Sequence, residues 1–260
     1  MPAPVDAALL AFATSLADAS GEIIRQYFRR GVAIDDKPDQ SPVTVADREA
    51  ERELRRLIEA RFPNDGILGE EFGSVRGDAQ RIWVLDPIDG TKSFISGIPL
   101  FGTLIALTEG GRPILGVIDQ PISRERWVGA AGHPSTLNGT PIRTRPCPSL
   151  ASATLFATSP ELFQGKESGS FQRLRAAVKL PRYGADCYAY GLLAAGFIDL
   201  VVEASLKPWD YCAIVPVIEG AGGGVSDWEG GPLGLRSGSR IVAVGDPRLA
   251  TPARALLSMA

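Results

Sequence analysis

The stretch Trp83-Val84-Leu85-Asp86-Pro87-Ile88-Asp89-Gly90-Thr91 joins an apolar run to two carboxylates three residues apart. Ile82-Trp83-Val84-Leu85 is short and apolar, so it predicts a strand that delivers the chain to Asp86. Pro87 stiffens the exit and removes a donor. Gly90 permits a tight backbone path. Two carboxylates leaving a strand end in this way can face one small volume. Their oxygens are hard ligands and no soft ligand lies nearby, a combination that selects Mg²⁺, with Mn²⁺ as a substitute.

Two further acidic features fit the same volume. Gly69-Glu70-Glu71 follows the apolar Ile67-Leu68, and Pro208-Trp209-Asp210 precedes an apolar helix. Glu70, Asp86, Asp89 and Asp210 together would repel a phosphate dianion by several kcal/mol per pair at an effective dielectric near ~20. Divalent cations reverse that sign, and the cluster becomes a metal-assisted phosphoryl-transfer site. Each residue also has a plainer reading. Asp-Pro and Asp-Gly are common turn formers, Glu-Glu pairs are common on solvated surfaces, and Asp210 suits an N-cap. Asp47, three residues after Thr44 at a helix start, resembles a capping box.

Outward from this centre the chain reads as mixed α/β. Leu9, Phe12, Leu16, Ile23, Tyr27 and Phe28 recur at helical spacing, and Gly31 is a stop. A polar loop from Asp35 to Pro42 precedes a helix from about Ala46 to Arg61, which Pro63-Asn64-Asp65-Gly66 ends. Strands at Thr103–Leu107 and Ile114–Ile118 flank the hairpin turn Glu109-Gly110-Gly111-Arg112; Arg126–Val128 adds a strand, and Asn138-Gly139 is a turn. Beyond residue 150, strands near 154–157, 179–183, 198–202, 225 and 241 alternate with helices near 171–178, 188–195 and 211–219 and after Pro247. The chain is expected to be one domain, with two lobes, 1–147 and 148–260, meeting near Arg145 to Ser149.

Bulk properties narrow the partners. The 260 residues are 45% hydrophobic and carry a net charge of −3, so there is no basic field to draw in nucleic acid. Cys147, Cys187 and Cys212 form no C-x-x-C pair, and His133, the one histidine, sits in a Gly-His-Pro turn. Zinc and disulfide scaffolds are poor readings, and unpaired thiols suit a reducing compartment. No basic segment precedes the first apolar stretch, and the uncharged run Ser93–Thr108 is too short to span a bilayer. The expectation is a cytoplasmic protein without a membrane partner.

The string from Trp83 to Thr91 closely resembles the signature of the inositol monophosphatase superfamily. Thr44-Val45-Ala46-Asp47, Gly69-Glu70-Glu71 and Trp209-Asp210 match its other motifs in order. The resemblance implies the layered α-β-α-β-α sandwich of the inositol monophosphatase and fructose bisphosphatase type, a homodimer, and two or three Mg²⁺ per site. It further implies that Glu70, Asp86 and the Ile88 carbonyl bind one metal. Asp86, Asp89 and Asp210 would bind a second, and Glu70 would help hold a third through water. Thr91 and Asp47 would orient and deprotonate the attacking water, while the amides of Gly90 and Thr91 hold the phosphate. The implied reaction is direct in-line attack of a metal-activated water on a phosphate monoester. A non-catalytic regulatory scaffold with the same fold usually lacks a ligand or the Thr/Asp pair, and both are present here.

Within the superfamily the chain looks most like the histidinol-phosphatase branch. The resembling segments are Lys37–Thr44, Asp89–Gly97, Gly116–Pro121, Asp186–Tyr190 and Ala204–Asp210. Asp186 and Glu203 match positions that face the leaving group. Two carboxylates there favour a cationic amino alcohol through charge-assisted hydrogen bonds, whereas inositol and most sugars are neutral polyols. The alternatives are that Asp186 only caps the helix near Tyr188 and that the enzyme is an inositol 1-phosphate, sugar or nucleotide phosphatase. Arg182 either touches substrate or only forms a salt bridge.

Overall fold

The computed structural model describes residues 3–31, 34–36 and 42–258. The first half contains α1 (Ala7–Tyr27), β1 (Ile34–Asp36), β2 (Pro42–Thr44), α2 (Val45–Arg61), β3 (Gly66–Gly69), β4 (Gly73–Val75), β5 (Arg81–Asp89) and α3 (Thr91–Ile95). It continues with β6 (Gly102–Glu109), β7 (Arg112–Gln120), β8 (Glu125–Ala130), β9 (Thr136–Leu137) and β10 (Thr140–Pro141). The second half contains β11 (Thr154–Ala157), α4 (Lys166–Ala177), β12 (Leu180–Tyr183), α5 (Asp186–Ala194), β13 (Leu200–Glu203) and α6 (Pro208–Tyr211). It ends with α7 (Ile214–Gly220), β14 (Gly224–Asp227), β15 (Ile241–Val244) and α8 (Ala250–Ser258).

Two sheets carry the fold. The eight-stranded sheet has the order β10-β9-β8-β7-β6-β5-β3-β4, and the five-stranded sheet β12-β11-β13-β15-β14. Side-chain alternation sorts the residues into layers. Trp83, Leu85, Ile105, Leu107, Leu115 and Val117 pack against α1 and α2. Ile82, Val84, Leu104, Ala106 and Ile118 point the other way, into a core shared with α5 and α7 and with Val201 and Ala243 of the second sheet. The far face of that sheet, Leu155, Leu200, Val202 and Val242, packs on α4 and α8. The layers therefore run α-β-α-β-α, as the resemblance implies. Gly116 and Gly129 let α7 approach the large sheet: a Cβ on either would lie 1.9 Å from the Ala213 carbonyl or 2.3 Å from the Pro216 carbonyl.

Several elements differ from the sequence reading. The strand predicted at 82–85 continues to Asp89. The helix predicted at 211–219 is split into α6 and α7 at Cys212-Ala213, because Pro216 has no N–H to donate to the Cys212 carbonyl one turn back. In place of a loop over 35–42, Ile34–Asp36 pairs antiparallel with Pro42–Thr44; residues 37–41 lie outside the described residues. β3 and β4 were not predicted, being short and glycine-bounded. The Gly110-Gly111 and Asn138-Gly139 turns do form, with positive φ at all four residues. α1 has the length and apolarity of a membrane span, but its Leu9, Ala13, Leu16, Ala17 and Ile24 are buried in the core.

Candidate active site

β5 and its exit build the centre of the site. In a regular strand, residues three apart point to opposite faces. Asp86 pairs with Leu104 and Asp89 with Gly102, so three steps on β5 oppose two on β6 and a bulge lies between. The extra residue restores the same-side orientation of the two carboxylates. The Pro87 carbonyl in the bulge accepts from Thr103 Oγ1 at 2.8 Å, and Ser20 Oγ lies 3.0 Å from that hydroxyl. Neither supporting residue carries a sequence signal.

Asp210, in the first turn of α6, completes a cluster. One oxygen from each of Asp86, Asp89 and Asp210 lies within 4.8 Å of the other two. Backbone N–H groups anchor each carboxylate: Ile88 N to Asp86 Oδ1 at 3.0 Å, Cys187 N to Asp89 Oδ2 at 2.6 Å, and Lys207 N to Asp210 Oδ2 at 2.7 Å. Glu70 follows β3, and its N–H donates to the Leu85 carbonyl at 3.2 Å. Its carboxylate adjoins Asp86. Burial, then the charges of Glu70, Asp89 and Asp210, push the Asp86 carboxyl well up. Burial and the neighbouring Asp186 and Asp210 do the same to Asp89. So many anchored hard oxygens with raised pKa values fit a divalent cation, which would relieve the repulsion that otherwise favours protonation.

Asp47 is buried at the start of α2. Its Oδ2 accepts from Thr44 N at 2.8 Å and Thr44 Oγ1 at 2.6 Å, the expected capping box. Oδ1 lies 3.5 Å from Thr91 Oγ1, whose nearer acceptor is the Ile88 carbonyl at 3.1 Å. Burial pushes the Asp47 carboxyl up. Gly90, with φ +89°, is the N-cap of α3, and Thr91 is its first residue. The structure thus gathers Asp47, Glu70, Asp86, Ile88, Asp89, Gly90, Thr91 and Asp210 around one centre.

The second half adds two carboxylates beside it. Asp186 opens α5, two residues earlier than predicted, and the N-cap position is Ala185. The Asp186 Oδ2 accepts from Ser93 Oγ at 3.0 Å. The same carboxylate oxygen would lie 2.9 Å from a Cβ on Gly90, so only glycine fits there. Gly184, Ala185 and Asp186 all have positive φ, an unfavourable path for the last two. Glu203, buried at the end of β13, takes the Thr158 N–H on Oε1 at 2.6 Å, while Oε2 has no partner among the described residues. Burial raises its pKa to about 8, and Asp186 and Asp210 add to the rise. Arg182 stands exposed on the edge strand β12 and makes no hydrogen bond or ion pair with these carboxylates among the described residues. His133 binds the Val5 carbonyl at 2.7 Å, away from the cluster. The three cysteines are buried free thiols.

The sequence profile of the inositol monophosphatase family matches residues 6–257. The chain belongs to the inositol monophosphatase family. It is a phosphatase of that family, whose members in general depend on Mg²⁺. Among its relatives, the "Bifunctional phosphatase IMPL2, chloroplastic" of Arabidopsis thaliana is 54% identical over 90% of this chain and 68% of that protein. A "Histidinol-phosphatase" of Chlorobaculum parvum is 38% identical over 85% of this chain and 86% of its own length. A solved inositol monophosphatase from Zymomonas mobilis superposes with a TM-score of 0.89 at 49% identity, covering 96% of this chain and 97% of that one.

Proposed function

We propose that this family member hydrolyses histidinol phosphate to histidinol and phosphate, the phosphatase step of histidine biosynthesis. The observation that carries the reading is the pair Asp186 and Glu203 beside the acidic cluster. The leaving alcohol of histidinol phosphate bears an amine and an imidazole. A charge-assisted hydrogen bond to a carboxylate contributes roughly 1.5–3 kcal/mol, and Glu203 Oε2 is buried without a partner among the described residues. The likeness to a "Histidinol-phosphatase" supports the same choice.

In this reading Glu70, Asp86 and the Ile88 carbonyl would hold one Mg²⁺. Asp86, Asp89 and Asp210 would hold a second, and Glu70 would help hold a third. When bound, the ions neutralise the carboxylates, lower the pKa of the attacking water and stabilise the leaving alkoxide. The amides of Gly90 and Thr91 hold the phosphate. Thr91 Oγ1 turns from the Ile88 carbonyl toward Asp47 Oδ1 and passes it the proton taken from the attacking water. The 3.5 Å separation is long for that transfer, and such contacts commonly tighten in the substrate complex. The raised Asp47 carboxyl makes it the stronger base. Asp186 and Glu203 orient the cationic alcohol, with Asp210 and Arg182 at the margin of the same pocket. The working unit is a cytoplasmic homodimer of one two-lobed domain.

A second reading is hydrolysis of inositol 1-phosphate or a related sugar ester, which the likeness to the Zymomonas inositol monophosphatase favours. The purified enzyme should be assayed on histidinol phosphate, inositol 1-phosphate, fructose 1,6-bisphosphate and 3′-phosphoadenosine 5′-phosphate. The proposal expects the highest kcat/KM on the first. A clear preference for any other replaces it.

A further inference from the structure

α2 carries three charged side chains four residues apart, Asp47, Glu51 and Arg55, and this spacing places them on one face. Glu51 is fully buried at 0% exposure. It sits in mid-helix, so it caps nothing, and no catalytic role reaches it. A buried carboxylate is costly unless its oxygens are bonded. Here they are. Oε2 accepts the Glu71 N–H at 2.7 Å, and Oε1 accepts the Phe72 N–H at 3.2 Å and Arg55 Nε at 2.7 Å. Arg55 also donates through Nη2 to the Gly73 carbonyl. The guanidinium groups of Arg52 and Arg55 lie 5.1 and 5.9 Å from the centre of the Phe72 ring. A Cβ on Gly69 would lie 2.1 Å from Glu51 Oε1, so glycine there admits the carboxylate.

We infer that Glu51 is a positioning residue for Glu70, a role that rests on the proposed reading of Glu70 as a metal ligand. The turn from β3 to β4 that carries Glu70 has its next two amides clamped on one buried carboxylate. Two consecutive N–H groups need two acceptor oxygens, which Glu supplies and Gln does not, because the Gln NH₂ would face an N–H. The same helix face presents Asp47 to Thr91. α2 thereby holds the Glu70 turn and the Asp47–Thr91 pair in one rigid relation.

The test is direct Mn²⁺ binding, read by the electron paramagnetic resonance of free Mn²⁺, on the wild type, Glu51→Gln, Glu70→Gln and Asp65→Asn. Asp65 is a buried ion-pair partner of Arg81 in the same sheet, remote from the turn, and controls for lost stability. Glu51→Gln should weaken Mn²⁺ binding about tenfold, in line with groups that orient metal ligands. Its KM for the phosphate ester at saturating Mg²⁺ should stay within about twofold. Asp65→Asn should lower Tm and leave Mn²⁺ affinity unchanged. Unchanged affinity in Glu51→Gln with loss in Glu70→Gln overturns the positioning role, as does equal loss in Asp65→Asn. Unchanged affinity in Glu70→Gln removes the underlying reading of Glu70 itself. If Glu51→Gln does not fold, Arg55→Gln decides, with about threefold weakening expected and no change overturning the role.

Discussion

The carboxylates contributed by the large sheet and those contributed by the small one are held by different means. Asp86 and Asp89 stand on one strand, their relative orientation set by a single bulge and each anchored by a backbone N–H at 3.0 and 2.6 Å. Asp186 and Glu203 come from separate elements, a helix start reached through a left-handed path and a strand end. Asp186 is held by one hydroxyl, and Glu203 by the Thr158 N–H on one oxygen, its other oxygen having no partner among the described residues. A pair built on one strand tolerates little change in chemistry. A pair assembled from separate elements can change its ligand without disturbing the reaction centre. The two regions meet in the bond from Cys187 N to Asp89, so the Asp186 and Glu203 side is keyed to the cluster and not independent of it.

The largest effect should come from the anchored side. Asp86→Asn or Asp210→Asn should cut kcat for phosphate release by more than about 100-fold, beyond the range typical of groups that only support a metal ligand. The Tm of either variant without metal should rise by a few degrees, because a repelling carboxyl is gone. Retained activity in both would break the metal reading altogether. Next in size, Asp47→Asn should lower kcat by roughly 10²-fold or more with little change in KM, as expected for loss of a general base. A rise in KM alone would make Asp47 only a capping residue.

Smaller effects should come from the region assembled from separate elements. Asp186→Ala should lower kcat/KM for histidinol phosphate by roughly 10–100-fold, the equivalent of one charge-assisted hydrogen bond, and change inositol 1-phosphate hydrolysis far less. Equal losses on both substrates would merge the two regions into one functional unit. Glu203 gives the smallest effect, on stability. Its carboxyl rises from 4.5 in the unfolded chain to about 8 in the fold. Its stabilising contribution is therefore complete below pH 4.5 and is lost as pH climbs through about 8. Glu203→Gln should flatten the fall in Tm across that window, as a pH series of thermal melts would show. A slope unchanged by the substitution would mean that Glu203 is already ionised in the fold.

The chemistry of the anchored region was legible in the residues. A strand running into Asp86, a second carboxylate three residues on and Gly90 after it already pointed to hard-ion ligands, and the apolar periodicities placed most helices and strands. The branch-like segments pointed to Asp186 and Glu203, but only as positions facing a leaving group. Ser93, Thr103, Ser20 and Glu51 were invisible. Each acts on a residue distant in the chain, and a lone serine, threonine or helical glutamate has no local pattern to betray a partner.

The chain's residues alone set which carboxylates are on offer, their order and the alternation that sorts side chains into layers, because those depend on residue identity and on periods of two and 3.6. That Asp86 and Asp89 face the same way follows from the three-dimensional pairing, since it turns on one extra residue of β5 against β6. Folding alone brought Asp210 and Asp186 beside them, more than ninety positions later, because side chains from distant segments converge only when the two sheets pack on their shared helices.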